Sequence, residues 1–264
     1  MSRVKLRFGW MLRPQLFVGF LAICLCVGAL GNISRATYNE MYSTLAPRPS
    51  VKGAATAQPL PDCGRIPCIA LSFDDGPNAA VTPRVLDILA SEHVKATFFL
   101  IGKHVPGNEP LLRRMHDEGH EIGNHSWDHP DFTTLTPGQM DNELATTQQV
   151  IANAGVPLPH LFRPPYGAVN DIVRSHAAGM AIVRWDIDPA DWEVLDAGKV
   201  QQAILAQARP GGIILMHDIY PSTADALMPV IEQLKGHYQF VTVSQLMSFA
   251  PGDQGQYFGR WRPE

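Results

Sequence analysis

Two carboxylates stand side by side in "CIALSFDDGP" (residues 68–77), where an apolar run ends in Asp74 and Asp75. Charges are costly to desolvate, so acids closing a buried-looking strand need a reason. One reason is local: Asp-Gly-Pro forms turns, and Asp is common at strand ends and helix N-caps. The other is chemical. "HSWDHP" (125–130) sets His125 and His129 four residues apart, so one turn of helix or a tight loop could bring both to one face. Two imidazoles plus one carboxylate make a common three-ligand metal set with positions open to water. The pair alone is a weak signal, because surface histidines are frequent. It is not the zinc-protease helix, which needs a Glu directly after the first His. The base must come from elsewhere. Asp75 as ligand and Asp74 as base would account for the acidic pair, with one charge neutralised by a metal and the other free to take a proton from water.

A scaffold must deliver these groups together. From Cys68 onward, short apolar runs alternate with longer amphipathic ones. Candidate strands are residues 68–75, 96–102, 120–126, 161–167, 180–188, 211–218 and 240–246. Helix-like segments lie near 80–92, 108–118, 137–154, 170–178, 198–208 and 224–235, and Gly119, Gly155, Gly179 and Gly236 fall where helices should stop. This alternation predicts parallel βαβ units, compatible with a barrel or an open doubly wound sheet. The polar residues favour the barrel. Asp74 and Asp75, His125, Arg163, Asp188 and Asp191, and His217 stand at the C-terminal ends of five different strands. In a barrel those ends share one face around one axis, whereas an open sheet concentrates its site at a single switch point. The expected fold is therefore α/β, a distorted (β/α) barrel of about seven parallel strands preceded by an N-terminal membrane segment.

From about Cys68 to Leu246 the chain resembles the polysaccharide deacetylases, the NodB-homology group of carbohydrate esterases. The resemblance is carried by five motifs in order: "SFDDGP" (72–77), "HSWDH" (125–129), "RPPYG" (163–167), "DPADW" (188–192) and "LMH" (215–217). It implies that Asp75, His125 and His129 bind one divalent metal, usually zinc, with cobalt or nickel as alternatives. It implies Asp74 as general base, oriented by Arg163, whose planar fork suits a carboxylate. The backbone N–H of Tyr166 would help hold the oxyanion. Trp192 and Leu215 would wall the acetyl-methyl pocket. His217 would be the general acid, kept protonated by Asp191. The family's first motif usually opens with Thr where this chain has Ser72, a position that flanks the ligands without being one. Asp188 could merely cap its loop, and the other seven histidines (93, 104, 116, 120, 160, 176, 237) match no motif and read as scaffold or surface. The implied activity is hydrolysis of the acetamido group of N-acetylglucosamine-type residues, in peptidoglycan first and chitin or its oligomers second. An esterase for O-acetylated polysaccharide such as xylan, or a binding protein without activity, is the alternative.

The 264-residue chain, 45% hydrophobic and 17% charged, suits one sizeable folded domain. Its first forty residues differ. Arg3, Lys5, Arg7 and Arg13 precede a charge-free apolar run, residues 14–34, the pattern of an export signal or membrane anchor. Small residues at 29–31 and 34–36 offer cleavage sites; the strongest apolar part, residues 16–30, is long for a signal and slightly short for a spanning helix, and an uncleaved anchor is the expectation. Residues 1–36 then form a cytoplasmic flank and anchor, 37–61 a Pro/Ala/Ser/Thr-rich tether, 62–250 the catalytic domain and 251–264 a tail. The domain would lie outside the cytoplasm, anchored to the cell membrane, or secreted if cut. There a disulfide between Cys63 and Cys68 is expected. Residues 1–36 hold five of the 21 basic residues and none of the 25 acids, which leaves the remainder at a formal −9. That balance argues against nucleic acid and fits a neutral polysaccharide partner. A monomer is expected. The tail, with Tyr257 and Trp261, could clasp the barrel or touch substrate.

Overall fold

A computed structural model describes Pro61, Cys63, Arg65, residues 67–177 and 179–247, and the backbone at Gln256 and Tyr257. The expected membrane segment, the tether up to residue 60 and most of the tail, Trp261 included, lie outside the described residues. Among the described residues no helix is long and apolar enough to cross a membrane. In chain order the elements are β1 (Cys68–Asp74), α1 (Thr82–Ser91), β2 (Thr97–Leu100), α2 (Glu109–Asp117), β3 (Glu121–Asn124), α3 (Pro137–Asn153), β4 (Leu161–Phe162), α4 (Asp171–Ser175), β5 (Ala181–Val183), α5 (Asp191–Val194), α6 (Ala197–Gln207), β6 (Ile213–His217), α7 (Pro221–Leu234), β7 (Gln239–Val241), α8 (Val243–Met247) and β8 (Gln256–Tyr257).

The sheet runs β6-β1-β2-β3-β4-β5-β8, with β7 beside the start of β1, and its strand pairs are parallel. Beyond β5 the chain turns back to the sheet's far edge, where Ile187 bridges Ile214 of β6. The strand path thus closes on itself through one narrow junction, which makes the architecture an α/β barrel, and a distorted one. Among the described residues eight strands are present where about seven are expected, because β8 adds to the free edge of β5.

Strand periodicity decides what faces the barrel axis. Along β1, Ile69, Leu71 and Phe73 pack outward with Val85, Leu86 and Leu89 of α1 and Leu227, Val230 and Ile231 of α7. Ala70 instead joins an inner cluster with Phe99, Leu161, Ala181, Val183 and Ile213. A period of two therefore carries Ser72 and Asp74 to the inner side. Val243 and Leu246 of α8 belong to that inner cluster too, so α8 closes the end of the barrel opposite the strands' C-termini.

Here the sequence reading needs correction. Residues 240–246, rich in β-branched side chains, are expected as one strand, yet only Gln239–Val241 is strand and Val243–Met247 is helix. Thr242 and Gln245 form a reciprocal cap: the Thr242 N–H donates to Gln245 Oε1 at 3.0 Å and the Gln245 N–H to Thr242 Oγ1 at 3.3 Å. A Thr-x-x-Gln cap starts a helix regardless of the β propensity behind it. The helix expected at 224–235 begins earlier, at Pro221, because proline suits the first helical position.

Candidate active site

The inner-facing residues at the strands' C-terminal ends converge. Asp74 and His217 are direct partners across β1 and β6, so an acid and an imidazole leave adjacent strands at one level. His125 follows β3 and Arg163 follows β4, joined by the Arg163 N–H to the Asn124 carbonyl. Arg163 is wholly buried. Its Nη1 donates to Asp74 Oδ1 at 2.7 Å and to Ser72 Oγ at 2.9 Å, and its Nη2 donates to the Arg184 carbonyl at 3.1 Å. Its Cζ lies 4.0 Å from the centre of the Phe99 ring. Such a guanidinium is far from the stiffened surface arginine that "RPP" alone allows.

Asp75, with φ of 72°, turns its carboxylate away from the strand toward two imidazoles. Its Oδ1 lies 3.4 Å from His125 Nε2 and 3.6 Å from His129 Nε2. One donor atom from each of the three residues falls within 4.8 Å of the others. The two histidines sit in a loop, not on a helix, with Ser126 and His129 at φ of 70° and 68°. Three observations show that the set fits a cation. Asp75 Oδ1 is buried without a hydrogen-bond partner. His125 Nδ1 lies 2.6 Å from the Arg163 carbonyl, which can only accept, so Nδ1 carries a proton and Nε2 is the ring atom turned toward Asp75. Burial opposes a charge on His125, yet Asp74 and Asp75 prevail and push its pKa up; the cluster draws in positive charge. Burial likewise opposes ionisation of Asp75, but His125 holds its carboxyl down at about 2.

At the end of β6, His217 Nδ1 lies 2.8 Å from Asp191 Oδ1. The same carboxylate's Oδ2 accepts from the His217 N–H at 2.8 Å and from Thr223 Oγ1 at 2.6 Å. Burial would lower the imidazole's pKa, but the Asp191 hydrogen bond and charge, with Asp74 and Asp75 behind them, raise it to about 9. Tyr166 stands at the rim with φ of 58°, its exposed ring 4.6 Å from that of His129. Trp192, on α5, is half exposed, while Leu215 is buried in β6. Asp188 caps its loop, accepting from the Ala190 N–H and from Trp185 Nε1.

Sequence reasoning missed several supports. Ser72 accepts from Arg163 and donates to the Ile214 carbonyl at 2.7 Å, so the position where the family pattern has Thr anchors the arginine. His104 places Nδ1 2.8 Å from the Asp75 carbonyl, which makes it a support of the site where the sequence read only scaffold or surface. The carboxyl of Asp218, raised by burial to about 7, receives Thr82 Oγ1 at 2.5 Å. A Cβ added at Gly76 would stand 2.4 Å from Asp218 Oδ1, so only glycine fits after the acidic pair. Nothing in the spacing of Asp218, Thr223 or His104 marks them, because each acts through a fold-dependent contact. Cys63 and Cys68 are disulfide-bonded, with Cα atoms 5.3 Å apart.

The class is thus an α/β barrel that gathers a buried Arg–Asp pair, an Asp-His-His cluster and an Asp-His pair at its strands' C-terminal ends. Residues 62–184 match the family model described as polysaccharide deacetylase. A chitooligosaccharide deacetylase of a Bradyrhizobium species is 43% identical over 156 residues, which cover 58% of this chain and 71% of that protein. The chain belongs to the polysaccharide deacetylase family. It is also 42% identical over 193 residues to a peptidoglycan-N-acetylglucosamine deacetylase of Listeria monocytogenes, 73% of this chain and 41% of the relative. The match thus spans about two fifths of the length of that curated relative. Among solved structures, a family 4 acetyl xylan esterase from Clostridium thermocellum in complex with a cobalt ion superimposes with a TM-score of 0.69. It is 34% identical, and the match covers 73% of this chain and 98% of that one.

Proposed function

We propose that this chain is a metal-dependent amidohydrolase that removes the acetyl group from N-acetylglucosamine-type residues of a polysaccharide. The carrying observation is that the pairing of Asp74 with buried Arg163, and of His217 with Asp191, occurs at the same strand ends as the Asp-His-His cluster. Asp75, His125 and His129 would hold one divalent ion, zinc being our first choice, and that ion supplies Lewis-acid polarisation of the acetamido carbonyl. Asp74 is the base. Arg163 occupies its Oδ1, which leaves Oδ2 to accept a proton from the attacking water. The Tyr166 N–H donates to the oxyanion as negative charge develops there. His217 gives its proton to the departing nitrogen, which leaves as an amine only once protonated. Trp192 and Leu215 would contact the acetyl methyl.

Peptidoglycan is our first substrate and chitin oligomers the second, in keeping with the relatives of Listeria and Bradyrhizobium. We further propose an extracytoplasmic domain, anchored by residues 14–34 and monomeric. The basic flank before that segment supports this placement, as does the Cys63–Cys68 disulfide. The test is acetate release from a panel of peptidoglycan, chitooligosaccharides and acetylated xylan. Release from the amide substrates is expected. Release from xylan alone would make the chain an esterase, as the acetyl xylan esterase relative allows, and no release from any would leave it a binding protein.

A further inference from the structure

We propose that Glu143, on α3, is a positioning residue for the metal site: its carboxylate holds the loop between His125 and His129 in the shape that aims both imidazoles at Asp75. This rests on the metal reading of that cluster. The loop is strained by its own sequence. Ser126 and His129 both sit at positive φ without being glycine, an arrangement that persists only when the surroundings over-determine it. Part of that constraint is internal: Asn124 Oδ1 accepts from the Ser126 N–H at 2.8 Å, and Ser126 Oγ from the His129 N–H at 3.0 Å. Part comes from the segment after β2, where the Gly102 and Lys103 N–H groups donate to the Ser126 and Trp127 carbonyls.

The two N–H groups at the crown of the loop point elsewhere. Those of Trp127 and Asp128 both donate to Glu143 Oε2, at 2.8 and 3.2 Å. Charge-assisted bonds of this kind are roughly twice as strong as neutral ones. The helix that carries Glu143 is a rigid base. It is 17 residues long, begins in a Thr136–Gln139 capping box, and buries Met140, Leu144, Thr147 and Ile151. It is also tied to β3, since Asn124 Nδ2 donates to the Leu144 carbonyl at 3.1 Å. Glu143 therefore joins a fixed helix to the span between the two histidine ligands. Without it, both crown N–H groups lose their one shared acceptor, and the left-handed residues lose the restraint between them.

The test is cobalt binding to the full chain, stripped with a chelator and then titrated, with the visible spectrum of the ion reporting its coordination. Glu143→Ala removes the acceptor; Glu143→Asp keeps the charge but falls one methylene short; Glu143→Gln keeps an oxygen at full length. The alanine and aspartate variants should bind cobalt about 10- to 100-fold more weakly with an altered spectrum, the range seen when groups supporting metal ligands are removed. The glutamine variant should stay within a few-fold of the parent. A residue that merely steadied α3 would lower the melting temperature of the metal-free protein and leave cobalt affinity alone. Parental affinity and spectrum in folded Glu143→Ala would overturn the proposal. If that variant does not fold, parental affinity in Glu143→Asp overturns it instead. A parent chain that binds no cobalt would refute the metal reading itself and take this inference with it.

Discussion

A guanidinium without solvent contact survives at Arg163 because each side of it is met. Asp74 and Ser72 accept at Nη1, Arg184 accepts at Nη2, and the Phe99 ring lies beneath Cζ. Removing one partner of such a buried pair leaves the other charge uncompensated, so Arg163→Ala should cost about 3–5 kcal/mol of stability, read from chemical denaturation. Asp74→Asn should behave differently. It keeps the Asp75 ligand and hence metal binding, yet turnover should fall by about 10²- to 10⁴-fold, the usual contribution of a general base. For the acid, the sign follows from its surroundings. His217 is raised to about 9 against the opposing pull of burial, so its proton is held through neutral pH and lost as pH climbs through that value. Any stability the imidazolium gains from Asp191 is full below the ordinary histidine range, near 6.5, and disappears on the same climb. In Asp191→Asn burial is left to dominate, and the alkaline limb of the pH–rate profile should move to lower pH. A bound cation would offset the help from Asp74 and Asp75. The loaded enzyme's limb should therefore lie below the His217 titration seen by NMR in metal-free protein.

At the scale of elements, the inner face of the barrel leaves little room beneath Arg163. A Cβ on Gly123 of β3 would stand 2.4 Å from Cδ1 of Phe99, the ring that supports the guanidinium. Gly123→Ala should thus displace the ring on which Arg163 rests. We expect a loss of about 1–3 kcal/mol, as for other overpacked cores, together with a reduced kcat. Unchanged melting and turnover would show that Phe99 yields without disturbing the pair. The same strands show what was legible beforehand. The order of elements, and the strand ends bearing Asp74, His125, Arg163 and His217, could be read from apolar runs and the polar residues that close them. The strands themselves are shorter than their apolar runs: β4 pairs at two residues and β5 at three, because the ladder breaks where the chain turns toward the site. The helix α8 hid behind β-branched residues although its Thr-x-x-Gln cap was visible. The roles of Ser72 and Thr223 were not legible, since each acts on a partner far along the chain, Ser72 and Arg163 being 91 residues apart, and that of Glu143 depends on how α3 packs against the loop before it.

The molecule as a whole keeps its chemistry and its covalent restraint at opposite ends of one strand. Cys68 opens β1 and Asp74 closes it, which at strand rise separates the disulfide from the proposed base by about 20 Å. Between them lies a run buried at every position, outward residues held by α1 and α7 and inward ones by the barrel interior. That run is fixed by packing and by ladders to both β2 and β6, so the far end does not need the disulfide to keep its place. The bridge closes a loop of five-residue separation, and the chain-entropy relation gives such a short loop about 2 kcal/mol of stabilisation. Reduction should therefore lower the melting temperature of the domain by several degrees while leaving kcat below the transition unchanged. If the domain works outside the cytoplasm, as proposed, cell-derived protein should also resist alkylation at Cys63 and Cys68 until reductant is added. Rapid labelling of both thiols in protein freshly isolated from the cell envelope would contradict the oxidised state. A kcat that falls on reduction in still-folded protein would show that strain at the base of β1 reaches Asp74, and that the two ends are coupled after all.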